Sequence, residues 1–62
     1  MSYRIEVSRG GQVQRKIPAG TWRDAAAERY LEIIREYRSE YTITLRDITT
    51  NATLAERMGS KS

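Results

Sequence analysis

Tyr3-Arg4-Ile5-Glu6-Val7-Ser8-Arg9-Gly10-Gly11-Gln12-Val13-Gln14-Arg15-Lys16-Ile17 carries two alternations back to back. Tyr3, Ile5 and Val7 alternate with Arg4, Glu6 and Ser8, the period-two pattern of a strand with one buried face. Val13, Arg15 and Ile17 alternate with Gln14 and Lys16 and give a second strand. Arg9-Gly10-Gly11-Gln12 between them reads as a hairpin turn. Two registers compete. A turn at Gly10-Gly11 sets Ser8 against Val13 and Val7 against Gln14, which throws the apolar sets onto opposite faces. A loop over Arg9 to Gly11 sets Val7 against Val13, Ile5 against Arg15 and Tyr3 against Ile17. It keeps the apolar side chains together and uses Gly11 as its left-handed residue. That second register is the expectation. It gathers Arg4, Glu6, Gln14 and Lys16 on the open face and leaves Arg15 on the face meant for the core, free to snorkel past the edge.

Outward from the hairpin, Pro18-Ala19-Gly20 ends the second strand. Thr21 reads as an N-cap with Asp24 at the capping-box position, and Trp22 to Ser39 as a helix. Ala26, Tyr30, Ile33, Ile34 and Tyr37 recur at helical spacing and form its apolar face. Trp22, Tyr30 and Tyr37 lie near one helical side and are expected in the core. Tyr41, Ile43 and Leu45 alternate with Thr42, Thr44 and Arg46 in a third strand. Asp47-Ile48-Thr49-Thr50-Asn51 is a turn, with Asn51 tolerating a left-handed conformation. Ala52 to Met58 has good helix formers but follows a turn, so a closing strand is favoured over a short helix. The predicted fold is a two-layer α+β domain over residues 1–58. One antiparallel sheet of three to four strands (β-β-α-β, with a final β) carries one helix on one face, and residues 59–62 form a disordered tail.

Size and composition narrow the function. A chain of 62 residues with no Cys and no His lacks disulfides, an ordinary structural zinc site, the usual general base and the most reactive nucleophile. No phosphate-binding glycine motif is present. The expectation is therefore a non-enzymatic binding module with no cofactor and no metal. A domain this small buries only about 60% of the surface of its unfolded chain, which raises the prospect of a homodimer. No membrane partner is expected, and the lack of cysteines and of an apolar leader points to the cytoplasm.

The formal charge is +3, and nine of the eleven basic residues are Arg. Residues 1–20 hold Arg4, Arg9, Arg15 and Lys16 against Glu6, whereas residues 21–40 hold four Arg against five acids. The candidate contact residues are Arg4, Arg9, Gln14, Arg15, Lys16 and Arg46. A second candidate surface is the acidic row Asp24, Glu28, Glu32, Glu36 and Glu40, relieved in part by Arg29, Arg35 and Arg38, with Glu32 and Arg35 spaced to pair. The partner expected first is another protein. Nucleic acid bound by the basic hairpin is the alternative, and a nucleotide-like anion held by an oligomer is a third. Solvation of an edge hairpin explains the same charges without a partner.

The segment Ile43-Thr44-Leu45-Arg46-Asp47-Ile48-Thr49-Thr50-Asn51 looks like the strand-and-turn ending of many small phage-type proteins, with Asn51 where those have Gly. The layout of two strands, a helix and two strands is also similar to that of some small phage inhibitors, certain anti-CRISPR proteins among them. What this resemblance implies is an inhibitor or adaptor acting by occlusion; it assigns no role to any residue.

Overall fold

Tyr3, Ile5 and Val7 bury one side of the first strand, and the rest of the chain is arranged over that side. The structure, a computed structural model, describes residues 2–59. Its elements are β1 (Tyr3–Arg9), β2 (Gln12–Pro18), α1 (Arg23–Glu36), β3 (Thr42–Asp47) and β4 (Ala52–Arg57). The four strands make one open antiparallel sheet in the order β2-β1-β3-β4. The helix packs on the two central strands, so the fold is the expected α+β arrangement with one helix. Residues 52–57 are a strand. Of the expected tail, residues 60–62 lie outside the described residues. Gly59 is held in place: its N–H donates to Thr42 Oγ1 at 2.8 Å, and a Cβ there would collide with the Glu40 carbonyl.

The hairpin register differs from the expected one. Gly10 and Gly11 both have positive φ, 60° and 83°, the geometry of a two-residue mirror-image turn. Arg9 therefore pairs with Gln12 and Ser8 with Val13. The conflict of faces is removed by a bulge. Gln14 is left without a partner, and beyond it Val7 faces Arg15, Glu6 faces Lys16 and Ile5 faces Ile17. One extra residue switches the face of all that follow. Val13 is the residue given up: it lies opposite Ser8 and is 50% exposed. A second bulge, at Leu54, lies between β3 and β4, where Leu45 pairs with Ala55 and Arg46 with Thr53.

The helix is shorter than its sequence pattern suggests. It starts after Trp22, which is the N-cap and offers no side-chain hydrogen bond, so the Thr21–Asp24 capping box does not form. Gly20 sits at φ 79° and turns the chain so that helical geometry begins beyond Thr21. The helix ends at Glu36, with the Tyr37 N–H bonded to the Ile33 carbonyl. Its fourteen residues span about 21 Å. Ala26, Tyr30 and Ile33 are buried against Ile5, Val7, Ile43 and Leu45, with Ile34 and Tyr37 at the margin. Trp22, expected in the core, is 77% exposed, because the N-cap stands outside the turn of helix that faces the sheet.

Arg57 closes the structure. From β4 its guanidinium donates to three main-chain carbonyls: Ile34 at 3.2 Å, Arg38 at 2.8 Å and Tyr41 at 2.9 Å. The end of a helix leaves carbonyls without intrahelical partners. Here a side chain from a distant strand takes them up and ties helix, loop and last strand together.

Candidate functional site

The face of the sheet away from the helix is polar and largely paired with itself. Cross-strand neighbours share a face, so Lys16, Glu6, Thr44 and Glu56 form one row, and Pro18, Arg4, Arg46 and Thr53 the next. Glu6 lies between two arginines. Arg4 Nη2 is 2.8 Å from one of its oxygens. Arg46 Nε is 3.5 Å from the other, an attraction without a hydrogen bond, since that nitrogen has no hydrogen-bond partner. Arg46 also donates to Asn51 Oδ1 at 3.2 Å, and Thr44 Oγ1 donates to Glu56 at 3.0 Å. Lys16 faces Glu6 across the ladder, yet it makes no ion pair or hydrogen bond among the described residues. The face is thus no continuous cationic track; alternating acids break it.

The other candidate residues do not converge there. Arg9 lies at the hairpin end of β1, where it pairs with Glu40 at 3.2 Å and stacks over the Tyr41 ring at 5.8 Å. Tyr41 meets Tyr37 edge-on with centroids 5.3 Å apart. Arg15 reaches past the sheet margin on the helix side and donates to Tyr37 Oη at 3.1 Å. This end is a tie between the first hairpin and the loop after α1, and it occupies Arg9 and Arg15. Gln14 is the bulged residue. Of the six basic-surface candidates, Arg4, Lys16 and Arg46 share the open face; Arg9, Arg15 and Gln14 lie elsewhere. On the acidic row, Asp24, Glu28, Glu32 and Glu36 are exposed on α1, whereas Glu40 lies beyond the helix and serves Arg9. Glu32 pairs with Arg29 at 3.3 Å rather than with Arg35.

The opposite pole, at the start of β1, is built differently. The ends of β1 and β2, the entry to α1 and the β3–β4 turn meet there. Three main-chain hydrogen bonds knit them: Tyr3 N to Gly20 O at 2.9 Å, Ala19 N to Tyr3 O at 3.0 Å, and Ile48 N to Ser2 O at 2.9 Å. Asp47 Oδ1 accepts the Thr49 N–H at 2.9 Å and fixes the turn that presents Ile48. Asn51, at φ 59°, adopts the left-handed conformation its turn requires. Between these segments lies a shallow, half-open pocket of about 250 Å³. Its lining is mostly apolar, with Tyr3, Pro18, Ile48, Gly20 and Thr21 around it, and among the described residues Arg4 and Lys16 supply the charges. Trp22, next in the chain to Thr21, is exposed at this pole, and Ile48 is 44% exposed.

The sequence does not single out Pro18 or Ile48 as contact residues, and its helical spacing places Trp22 in the core. A usable signal was present. Ile48 is an apolar residue inside a polar turn, Trp22 follows a Pro-Ala-Gly-Thr break, and the hairpin topology brings both to one end.

Tyr30 is the titratable group whose environment shifts it. Burial raises its phenol above the ordinary value; the nearby Arg57 charge pulls it back and Glu56 pushes it further up. Among the described residues no group of three or more metal-ligating side chains comes together, and no helix is long and apolar enough to cross a membrane. No family model, curated protein or solved structure matches the chain.

Proposed function

We propose that this protein is a small non-catalytic module that binds another protein and acts by covering the surface it docks on, as an inhibitor or adaptor does. The observation that carries the reading is the pairing of Trp22, the most exposed large apolar residue, with the half-exposed Ile48 at one pole, beside a pocket whose segments are joined by main-chain hydrogen bonds; Val13, Leu31 and Met58 are exposed singly elsewhere. Exposed Trp is costly to keep and is strongly enriched among residues that dominate protein interfaces. A nucleic-acid platform needs a run of cations and stacking aromatics on one face. Here the arginines of the open face are bound to Glu6, and Tyr3 is buried on the helix side.

The test is parallel affinity capture from host lysate with the wild type and with Trp22→Ala, after circular dichroism has shown both to be folded. A protein retained by the wild type and lost by the variant supports the reading. Retention of nucleic acid instead, with affinity falling steeply as salt rises, would replace it with the alternative.

A further inference from the structure

The pocket at the start of β1 also indicates what kind of segment it takes. From its size, walls and charge we infer that it seats one bulky apolar side chain of an acidic partner segment, with a neighbouring carboxylate of that segment held by Lys16. This rests on the protein-binding reading and adds the chemistry of the partner.

Size comes first. Pockets that enclose whole small molecules run to roughly 300–1,000 Å³, and this one, at about 250 Å³, is smaller and half open. It has room for an anchor side chain delivered by a larger body, and too little to enclose a nucleotide. The walls come second. Tyr3, Pro18 and Ile48 offer apolar surface, and burying an apolar side chain against such walls is the main source of affinity in anchored interfaces. The hydrogen bonds from Tyr3 to Gly20, Ala19 to Tyr3 and Ile48 to Ser2 hold those walls before anything binds. A preformed seat spares the complex the cost of ordering loops.

Charge comes third. Among the described residues, every charged group lining the pocket is positive. Glu6, the acid across the ladder from Lys16, is already taken by Arg4 and Arg46. Lys16 is left without a partner among the described residues. A basic segment brought here meets the unpaired Lys16 and no free acid among the described lining residues; an acidic one completes Lys16. Such complementarity decides which partner is accepted and how fast it docks.

The test pans a displayed library of random ten-residue peptides on the immobilised wild-type protein. Enriched peptides are then measured by fluorescence anisotropy against the wild type, Lys16→Glu and Ile48→Ser, and by amide NMR shifts. Expected are peptides with Leu, Phe or Trp next to Asp or Glu. Lys16→Glu should weaken them about tenfold, and replacing their acid by Lys should restore binding to that variant. The shifts should concentrate at Gly20, Thr21 and Ile48. Acidic peptides whose affinity ignores both substitutions would overturn this site while leaving protein binding intact. Basic peptides, no enrichment, or equal shifts at the same amides on adding inorganic phosphate alone would overturn the inference itself. The capture experiment with Trp22→Ala reports on protein binding independently of all three.

Discussion

The Arg57 guanidinium donates to the Tyr41 carbonyl at 2.9 Å, reaching from the last strand to the loop that precedes β3. The same group bonds the carbonyls of Ile34 and Arg38, so one side chain satisfies the acceptors left open where the helix ends. The Arg38 carbonyl also accepts the Tyr41 N–H at 3.1 Å, so removing Arg57 takes the side-chain donor from two part-buried carbonyls, those of Ile34 and Tyr41, at about 1–3 kcal/mol. Arg57→Ala should therefore lower the urea midpoint by an amount corresponding to about 2 kcal/mol. Arg57→Lys should recover only part, because an ammonium lacks the forked geometry that spans three acceptors. Hydrogen exchange should show the last helical turn losing protection first. An Arg57→Ala variant as stable as the wild type would show the clasp to be idle.

Size and burial part company at Trp22 and Ile33. Ile33 is fully buried between helix and sheet, and Trp22 is 77% exposed. Ile33→Ala opens a cavity at a cost of about 2–5 kcal/mol. That is comparable with the whole stability expected of a domain this size, on the order of 3–9 kcal/mol. Trp22→Ala should stay within about 0.5 kcal/mol of the wild type. Thermal unfolding followed by circular dichroism separates the two. Loss of the fold in Trp22→Ala would put that side chain in the core after all and remove the basis for the contact role proposed for it.

Deleting Gln14 is a direct probe of the first hairpin. The two-residue turn already sets Ser8 against Val13, and the bulge then sets Val7 against Arg15. Without Gln14 the ladder runs through unbroken with those same pairs. The deletion variant should fold with its core pairing of Ile5 with Ile17 intact, and cross-strand NOEs between Val7 and Arg15 should persist. Loss of those NOEs, with Val7 moved against a different partner, would refute the two-residue turn.

Tyr30 gives the molecule an alkaline limit. Burial, opposed by Arg57 and assisted by Glu56, raises its pKa. The folded chain therefore keeps the phenol proton to higher pH than the unfolded chain does. The stabilisation linked to this is complete below the unfolded value of about 10. It is lost as pH rises from there through the folded value. The gap in urea midpoint between wild type and Tyr30→Phe should be constant from about pH 7 to 9 and shift against the wild type above about pH 10. A gap that stays flat throughout that range would mean that the phenol ionises equally easily in both states.

Much of the fold was legible because its determinants are local. The alternation in Tyr3-Arg4-Ile5-Glu6-Val7 and in Ile43-Thr44-Leu45 marks the central strands, and Ala26, Tyr30 and Ile33 mark the helix face that covers them. Asn51 announces its own backbone geometry. The hairpin register was not legible, because two signals conflict there. Val13, Arg15 and Ile17 alternate cleanly, yet consecutive glycines favour a turn that forbids that alignment. The turn prevails at the expense of one exposed Val. The Arg57 clasp was hidden for another reason. Its acceptors lie 16, 19 and 23 residues away, and a lone Arg on an outer strand carries no mark of such reach. The candidate site was half visible: Arg4 and Lys16 stand out as charges, but the pocket they border exists only once three chain segments meet.

Each outer strand interrupts its own ladder once, β2 at Gln14 and β4 at Leu54. A straight, unbroken edge is a template on which further chains stack, and a kinked one is a poor template. Both flanks of this sheet are therefore terminators of growth. Neither flank offers the straight run of open main-chain groups along which copies of one chain zip into ribbons.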